Sequence, residues 1–315
     1  MGAPAASSAE TPARVTLPTF VIGGAPKAGT TALWAWLNLH PQVGMSRIKE
    51  PVFFTETANN PVPGVHKIGP PRAITYRRGI GWYERLFRGS EGCVARGDAS
   101  PHYIGAMDGP ELMLRHVQEL KVVFLLRDPV ARAYAHFWEY RKRGYRMQPF
   151  EAVLDDDPAL RYLIYMSRYR QHLERYRAAF GTDRMRLYLF DDLRSDPEST
   201  FSDICRFIGV DPTFQPAFEI AHNPYAEPAI RTLHDVTTAS KRFYPRLVPR
   251  FVRRPLSRLR DAIEGWNLRS TPYAPIDPQV RLRLIDVFDE DIAYVEQLTR
   301  PLPAWRQALA TAPAP

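Results

Sequence analysis

The stretch from Thr19 to Leu33, TFVIGGAPKAGTTAL, constrains the fold more than any other part of the chain. Its apolar opening predicts a buried strand over 19–23, and its later residues predict a helix that begins at Thr30. The glycines between them let the backbone approach an anion, and the first turn of a helix attracts negative charge. The stretch therefore predicts a P-loop-like phosphate-binding loop between a strand and a helix.

The lysine of this loop does not stand where nucleotide triphosphatases have theirs. Their template, G-x-x-x-x-G-K-[ST], fits Gly24 to Thr31 except that Thr30 occupies the lysine position. Lys27 lies three residues earlier, inside the loop. We expect Lys27 to meet a phosphate chain from a different side.

A second buried strand, Lys121 to Leu126, ends in an arginine, Arg127. In a P-loop kinase or triphosphatase this kind of strand ends near an aspartate that helps to hold magnesium. An arginine at the carboxyl end of a strand in an open α/β sheet indicates direct anion binding instead. Asp128 and Pro129 then predict the start of a helix that runs to Lys142. A kinase or triphosphatase is kept as the alternative function.

Glu50 is the candidate general base. It lies in the sequence KEPVFF, where charged residues directly precede a proline and two aromatic residues. A carboxylate in partly apolar surroundings beside a cation suits proton abstraction. The alternative is a solvated Lys49–Glu50 pair at a strand end. His102, in the predicted polar turn from Gly97 to Tyr103, is a further candidate for substrate contact, with a structural role as its alternative.

Strands and helices alternate along the remaining chain, which predicts an α/β fold with a central parallel sheet flanked by helices. We expect a disordered leader over 1–17, a single domain over 18–306 and a flexible tail over 307–315. Further strands are predicted at 43–46, around Val94 and at 184–190. Further helices are predicted at 80–87, 111–120, 150–154, 159–180, 197–208 and 278–298.

The charge balance is basic, with 42 Lys and Arg against 34 Asp and Glu and a net charge of +8. A basic surplus suits nucleic acid, a membrane surface or a small polyanion. Only residues 241–260 interleave basic and aromatic residues, and prolines interrupt them. We expect a solvated surface there, with an anionic acceptor or peripheral membrane contact as the alternative, and we expect no nucleic-acid partner.

The two cysteines, Cys93 and Cys205, have no partners that would make a disulfide framework or a metal site, and no metal is expected. Residues 1–14 lack the charged start and apolar run of a signal peptide or an anchor, and no run of eighteen apolar residues occurs. These features predict a cytoplasmic protein. They carry no prediction about its oligomeric state.

The motifs PKAGTTAL, KEPVFF and RDPVARAY, in this order, resemble the sulfotransferases that use 3′-phosphoadenosine 5′-phosphosulfate (PAPS). The resemblance is to the heparan-sulfate and bacterial branch rather than to the cytosolic steroid and phenol branch, which usually has tryptophan where this chain has Ala32. It continues through SPHY at 100–103, through 184–209 and to the closing Ala304-Trp305, so it covers residues 19–306.

This resemblance implies a role for individual residues. The 5′-phosphosulfate would bind at the loop formed by Pro26, Lys27, Ala28, Gly29, Thr30, Thr31 and Ala32. Lys27 would contact the bridging oxygen, Glu50 would be the general base, and Arg127 would bind the 3′-phosphate. The family has a serine eight residues after that arginine, where this chain has Ala135. A basic loop late in the family's chain covers the nucleotide, and Arg269 is its candidate here.

The resemblance also implies the reaction, which is transfer of a sulfuryl group from PAPS to a hydroxyl or amine of an acceptor. The acceptor would be a small molecule or a carbohydrate, with a lipid as another choice. Acceptor pockets in such folds are built from loops, here 55–79, 140–150 and 221–260, whose composition does not name a ligand.

Overall fold

The computed structural model describes residues 16–57, 59–69, 72–158, 160–218, 226–228, 268–270 and 274–307. Its centre is a sheet of five parallel strands in the order β2-β3-β1-β4-β5. These strands are β1 (Phe20–Gly24), β2 (Val43–Met45), β3 (Ala95–Ala99), β4 (Lys121–Leu126) and β5 (Met185–Leu189). The expected α/β fold with a central parallel sheet is confirmed.

The first strand lies in the middle of this sheet. Phe20 pairs with Gly97 of β3 on one side and with Lys121 of β4 on the other. Every residue of β1 is buried, as are all residues of β4 except Lys121. Strands with both faces covered read as continuous apolar runs, which is why these two were readable from the sequence.

Helices surround the sheet. The longer ones are α1 (Thr30–Leu39), α3 (Gly109–His116), α4 (Pro129–Lys142), α6 (Tyr169–Phe180), α8 (Pro197–Ile208), α9 (Pro278–Val287) and α10 (Asp289–Leu298). The short ones are α2 (Ile80–Glu84), α5 (Arg161–Tyr165) and α7 (Phe190–Ser195). Two further strands, β6 (Ala226–Pro228) and β7 (Leu268–Ser270), pair antiparallel with each other.

Aspartates begin three of these helices. Asp128 accepts from the backbone N–H groups of Val130 and Ala131, so it caps α4 as the sequence predicts. Asp196 caps α8 and Asp277 caps α9 in the same way. A proline follows each cap at the first helical position, where no backbone N–H is needed.

Two predicted helices are each divided in the structure. The expected helix over 159–180 ends at Tyr165 and resumes at Tyr169, because Ser167 turns inward. The Ser167 hydroxyl donates to the Pro129 carbonyl oxygen at 2.8 Å and accepts from Arg132 at 2.6 Å. These are tertiary contacts, which a helical pattern of apolar residues does not contain.

The expected helix over 278–298 is interrupted at Phe288, which is fully buried. The interruption brings Asp291 of α10 to the start of α6, where its carboxylate accepts from the Arg170 backbone N–H at 2.9 Å. The polar turn expected at 97–103 is also wrong in part. Gly97, Asp98 and Ala99 belong to β3, and the turn begins only after them.

The sheet order determines where a ligand can be held. The chain leaves β1 toward α1 and β2 on one side, while β4 begins the other half of the sheet. Open parallel sheets bind ligands at the carboxyl ends of the strands where the order reverses. Here that position lies between the ends of β1 and β4. Lys27 follows β1, and Arg127 follows β4. Among the described residues, no helix is long and apolar enough to cross a bilayer.

Candidate active site

The loop between β1 and α1 forms a cradle with exposed backbone donors. Gly29 precedes α1 with φ of 86°, a conformation that favours glycine, and the start of α1 has no side-chain cap. A Cβ on Gly29 would lie 2.9 Å from side-chain atoms of Phe190 and Leu193, so a larger residue does not fit. Uncapped N–H groups at a helix start bind phosphate or sulfate oxygens. The residues present therefore fit the phosphosulfate group that the family resemblance implies.

The other loop residues have different surroundings. Ala28 and Thr30 are buried beneath the loop, together with Pro26 and Ala32. Thr31 is exposed, and its hydroxyl accepts a hydrogen bond from Lys49 Nζ at 2.8 Å. Four of these side chains are therefore packed inside the protein, and Thr31 presents its side chain to the site.

Lys27 extends from the cradle and is partly buried, with 26% of its side chain exposed. Its Nζ lies 3.4 Å from Oε2 of Glu139 on α4. Burial lowers the pKa of Lys27 below its ordinary value, and Glu139 opposes that shift. Burial acts to raise the pKa of Glu139, but the charges of Lys27 and Arg143 bring it below the ordinary value. The sequence analysis did not identify Glu139.

Arg127 leaves the end of β4 beside the same loop. Its Nη1 donates to the Lys27 carbonyl oxygen at 3.3 Å, and its guanidinium lies 5.0 Å from the ring centre of Phe190. Tyr169 donates from its hydroxyl to the Arg127 carbonyl oxygen at 2.8 Å, which fixes the backbone there. The structure thus brings the two predicted anion-binding side chains, Lys27 and Arg127, to one edge of the sheet.

Glu50 lies in the loop that follows β2, and both of its carboxylate oxygens face cations. Arg72 Nη2 is 2.9 Å from Oε2, and Lys49 Nζ is 3.5 Å from Oε1. Lys49 also bonds Thr31, so one ammonium group connects the Glu50 loop to the cradle. The Glu50 side chain is 26% exposed. The Lys–Glu pair considered from the sequence exists, but it forms part of the site.

The backbone of the Glu50 loop is unusual. Glu50 has φ of 59° and Val52 has φ of 49°, in the left-handed region that β-branched residues rarely enter. The loop is held by buried hydroxyl groups at the end of β3. Ser100 Oγ accepts from the Val52 N–H at 3.0 Å, and Tyr103 OH accepts from the N–H groups of Phe53 and Phe54 at 2.8 and 3.2 Å.

Asp98 is the buried carboxylate beneath these hydroxyls. It accepts from Tyr83 OH at 2.7 Å, Tyr103 OH at 2.8 Å and Ser100 Oγ at 2.7 Å. Burial raises its pKa to about 6, while the three hydrogen bonds act in the opposite direction. The order of contacts, from Asp98 through hydroxyls to backbone N–H groups, supports the conformation that presents Glu50.

His102 is buried in a cluster behind the site. Its Nδ1 lies 3.0 Å from Tyr162 OH, and its ring centre is 6.2 Å from that of His136. Burial holds the pKa of His102 well below its ordinary value, and the positive charges of Arg72 and Lys67 act in the same direction. His102 is buried and already contacts Tyr162, whereas the Glu50 side chain is partly exposed, so the structure favours Glu50 over His102 as proton acceptor.

Ala135 is buried on α4, two turns after Arg127. His136, its neighbour, has its Nδ1 3.1 Å from Arg132 Nη1 and stacks on Tyr140. The His136 side chain therefore already has its contacts inside the protein. Arg269 lies in β7, opposite Glu227 of β6 in the register of that pair. Residues 241–260 lie outside the described residues.

Glu139, Arg72 and the Asp98 network were missed by the sequence analysis. Arg72 lies in a segment read only as a Pro- and Gly-rich loop, and no spacing links it to Glu50. Only a weak indication of Glu139 exists in the sequence, where it follows Ala135 by one helical turn on the same face of α4. Among the described residues, no group of three or more His, Cys, Asp or Glu side chains could hold a metal ion.

Comparisons with known proteins give the family to which the chain is similar. Residues 17–233 match the family model described as a sulfotransferase domain. The mouse bifunctional heparan sulfate N-deacetylase/N-sulfotransferase 4 is 26% identical over 225 residues, which cover 66% of this chain and 24% of that protein. The human heparan sulfate glucosamine 3-O-sulfotransferase 6 is 25% identical over 215 residues, covering 66% of this chain and 57% of that protein.

A solved sulfotransferase structure from Alicyclobacillus acidocaldarius has the same fold. Its TM-score is 0.66 at 23% sequence identity, and the match covers 93% of this chain and all of that one. The α/β fold is thus common to both proteins. The chain belongs to the sulfotransferase domain family. This membership does not favour the kinase alternative. The chain spans about a quarter of the N-deacetylase/N-sulfotransferase and just over half of the 3-O-sulfotransferase.

Proposed function

We propose that this protein is a sulfotransferase that moves a sulfuryl group from PAPS to a hydroxyl or amine of an acceptor. The observation that carries the proposal is the connection of three groups at one edge of the sheet. Arg127 bonds the backbone of the Lys27 loop at 3.3 Å, and Lys49 joins the Glu50 loop to Thr31 at 2.8 Å. Two cations that we propose to bind the donor, and one carboxylate, therefore lie around one cradle.

The cradle would hold the donor. When bound, PAPS supplies a sulfuryl group attached to a phosphate oxygen that becomes the leaving group. The N–H groups at the start of α1 and the ammonium of Lys27 would stabilise negative charge that develops on that oxygen. Arg127 would bind the 3′-phosphate through its guanidinium. No metal is needed in this assignment, because oriented N–H groups and cations supply the positive charge.

Glu50 would accept the proton of the acceptor hydroxyl or amine as the new oxygen–sulfur or nitrogen–sulfur bond forms. Arg72 and Lys49 contact both oxygens of this carboxylate in the structure. Loss of either contact would leave that oxygen free to face the acceptor's hydroxyl or amine. Arg72 belongs to the 55–79 loop that we expect to line the acceptor pocket, so acceptor binding would displace this contact.

The acceptor class proposed is a carbohydrate or another small molecule. Two named relatives support a carbohydrate, since both are heparan sulfate sulfotransferases. The positive charges of Arg72 and Lys49 beside the candidate base would suit a carbohydrate that carries negative charge.

The test compares donors and then acceptors. Calorimetric titration should show that 3′-phosphoadenosine 5′-phosphate binds and that adenosine triphosphate binds far more weakly. Sulfur-labelled PAPS is then offered with sugars, lipids and phenolic metabolites, in strong chelator. Transfer of label that survives the chelator supports the proposal. Preferential binding and hydrolysis of adenosine triphosphate, restored by magnesium after chelation, would support the kinase alternative instead.

A further inference from the structure

Glu139 is an acidic side chain at the edge of a cradle that otherwise presents positive charge. It projects from α4 and is 19% exposed. Its Oε2 lies 3.4 Å from Lys27 Nζ, and its Oε1 lies 2.7 Å from an Arg143 guanidinium nitrogen. A carboxylate beside an anion-binding loop repels an anionic donor, so its presence needs a physical reason.

The reason lies in the surroundings of Lys27. Partial burial disfavours a charged ammonium group, and nearby Arg127 and Arg143 disfavour it further. The charged form of Lys27 is the one that would stabilise a developing negative charge. Glu139 is the described carboxylate in contact with that ammonium group, and it acts in the opposite direction.

We propose that Glu139 is a positioning residue, whose carboxylate pairs with the Lys27 ammonium group and holds it beside α4 until the donor binds. The proposal rests on the proposed function, because the donor's bridging oxygen is what would then take the place of Glu139. Arg143 is the second member of the pair. By sharing the carboxylate of Glu139, it limits how strongly Glu139 holds Lys27.

The position of Glu139 on α4 makes the exchange of partners geometrically simple. Lys27 has φ of 69°, so its backbone is neither extended nor in the right-handed helical conformation. Glu139 stands one helical turn beyond Ala135, and its side chain is 19% exposed while that of Lys27 is 26% exposed. Because both side chains reach solvent, the ammonium group could leave Glu139 by side-chain rotation.

The experiment measures the charge state of Lys27 directly and needs no donor. The free chain is acetylated with a trace of acetic anhydride across a range of pH, and mass spectrometry follows the Lys27 peptide. Only unprotonated amines react. Lys121, which donates to the Phe207 carbonyl oxygen, is the internal control in the same digest.

Two substitutions should change the labelling of Lys27 in opposite directions. Glu139→Gln removes the carboxylate charge, so labelling of Lys27 relative to Lys121 at a fixed pH should rise about 3- to 10-fold. Arg143→Gln removes a competing cation, so the same ratio should fall about 2-fold or more. A merely structural role for either residue would not move the ratio in opposite directions.

The outcomes separate cleanly. An unchanged ratio in Glu139→Gln, or a change of the same sign in both variants, overturns the proposal. If Glu139→Gln loosens the fold, Lys121 labelling rises as well, and the fall in Arg143→Gln still decides. A third measurement repeats the acetylation with 3′-phosphoadenosine 5′-phosphosulfate present. If Lys27 responds to both substitutions but is never protected by that donor, the ion pair stands and the sulfotransferase assignment fails.

Discussion

The guanidinium of Arg281 on α9 donates to Oδ2 of Asp128 at 2.6 Å, with both side chains nearly excluded from water. Asp128 also caps α4 and directly follows Arg127. Arg281 donates further to the Gln307 carbonyl oxygen at 2.7 Å. The last helices of the chain are thereby joined to the end of the strand that carries Arg127.

Arg281→Met should lower the free energy of unfolding by about 3–5 kcal/mol, because it leaves the Asp128 carboxylate buried without its cation. Urea unfolding measures the loss. Arg300→Gln is the matched control, since its pair with Asp192 is about half exposed on both sides and should cost at most about 1 kcal/mol. Equal losses in the two variants would contradict this account of the buried pair.

Glu50→Gln should reduce sulfuryl transfer by about 10²- to 10⁴-fold and leave donor binding in place. The amide keeps the shape of the side chain and cannot accept the proton. Single-turnover rates with labelled PAPS give the loss, and calorimetry gives the affinity for 3′-phosphoadenosine 5′-phosphate. Near-normal transfer by the variant would move the role of base to another residue, of which His102 is the first to test.

Tyr103→Phe should slow transfer and also destabilise the chain by about 1–3 kcal/mol, because the Phe53 and Phe54 N–H groups lose their acceptor. Tyr165→Phe is the control. It removes a buried hydroxyl that donates to the Gly105 carbonyl oxygen at 2.9 Å, without touching the Glu50 loop. Both variants should lose stability, and only Tyr103→Phe should lose kcat. A similar drop in kcat for both variants would show that the Tyr103 hydroxyl gives the Glu50 loop no specific support.

Asp98 should make stability fall as pH rises from about 4 to about 6. Its pKa in the folded chain is about 6, against an ordinary value of 3.8, so the folded state binds more protons over this window. Stability is greatest on the acid side of the window, and roughly 3 kcal/mol is lost across it. Asp98→Asn lacks this dependence. Urea midpoints at pH 4.5 and 7 should therefore differ more in the native chain than in the variant, and equal differences would refute the assignment.

Ala135→Ser should tighten binding of 3′-phosphoadenosine 5′-phosphate by about 10- to 100-fold, because a hydrogen bond to a charged group contributes about 1.5–3 kcal/mol. His136 is bound to Arg132 and is not expected to supply that bond already. Calorimetry compares the nucleotide with its analogue that lacks the 3′-phosphate. An equal gain for both nucleotides, or for neither, would show that position 135 does not face the 3′-phosphate.

The parts of the fold that could be predicted are those with a local signal. The buried strands β1 and β4 are continuous apolar runs, and α4 begins with Asp128 and Pro129, so their bounds agree with the sequence within one residue. The breaks at Ser167 and Phe288 could not be predicted in this way. They depend on contacts with α4 and α6, which are distant in sequence.

The same distinction between local and distant signals applies to the residues of the site. Lys27, Glu50 and Arg127 are in motifs whose spacing is visible in the sequence, and the structure places them around one edge of the sheet. Arg72 and Glu139 are single charged residues in a loop and on a helix, and many such residues are simply solvated. Only the folded chain shows that they contact Glu50 and Lys27.

The central place of β1 in the sheet bears on how the protein is made. Phe20 can be enclosed only after Gly97 and Lys121 have been added, because its two neighbours are β3 and β4. Pairings between distant segments slow folding, since a long loop must close before the contact forms. The phosphate cradle, which follows β1, can thus be completed only after the later strands β3 and β4 have been synthesised. A nucleotide that binds there will select finished molecules, and it will raise their thermal midpoint by mass action.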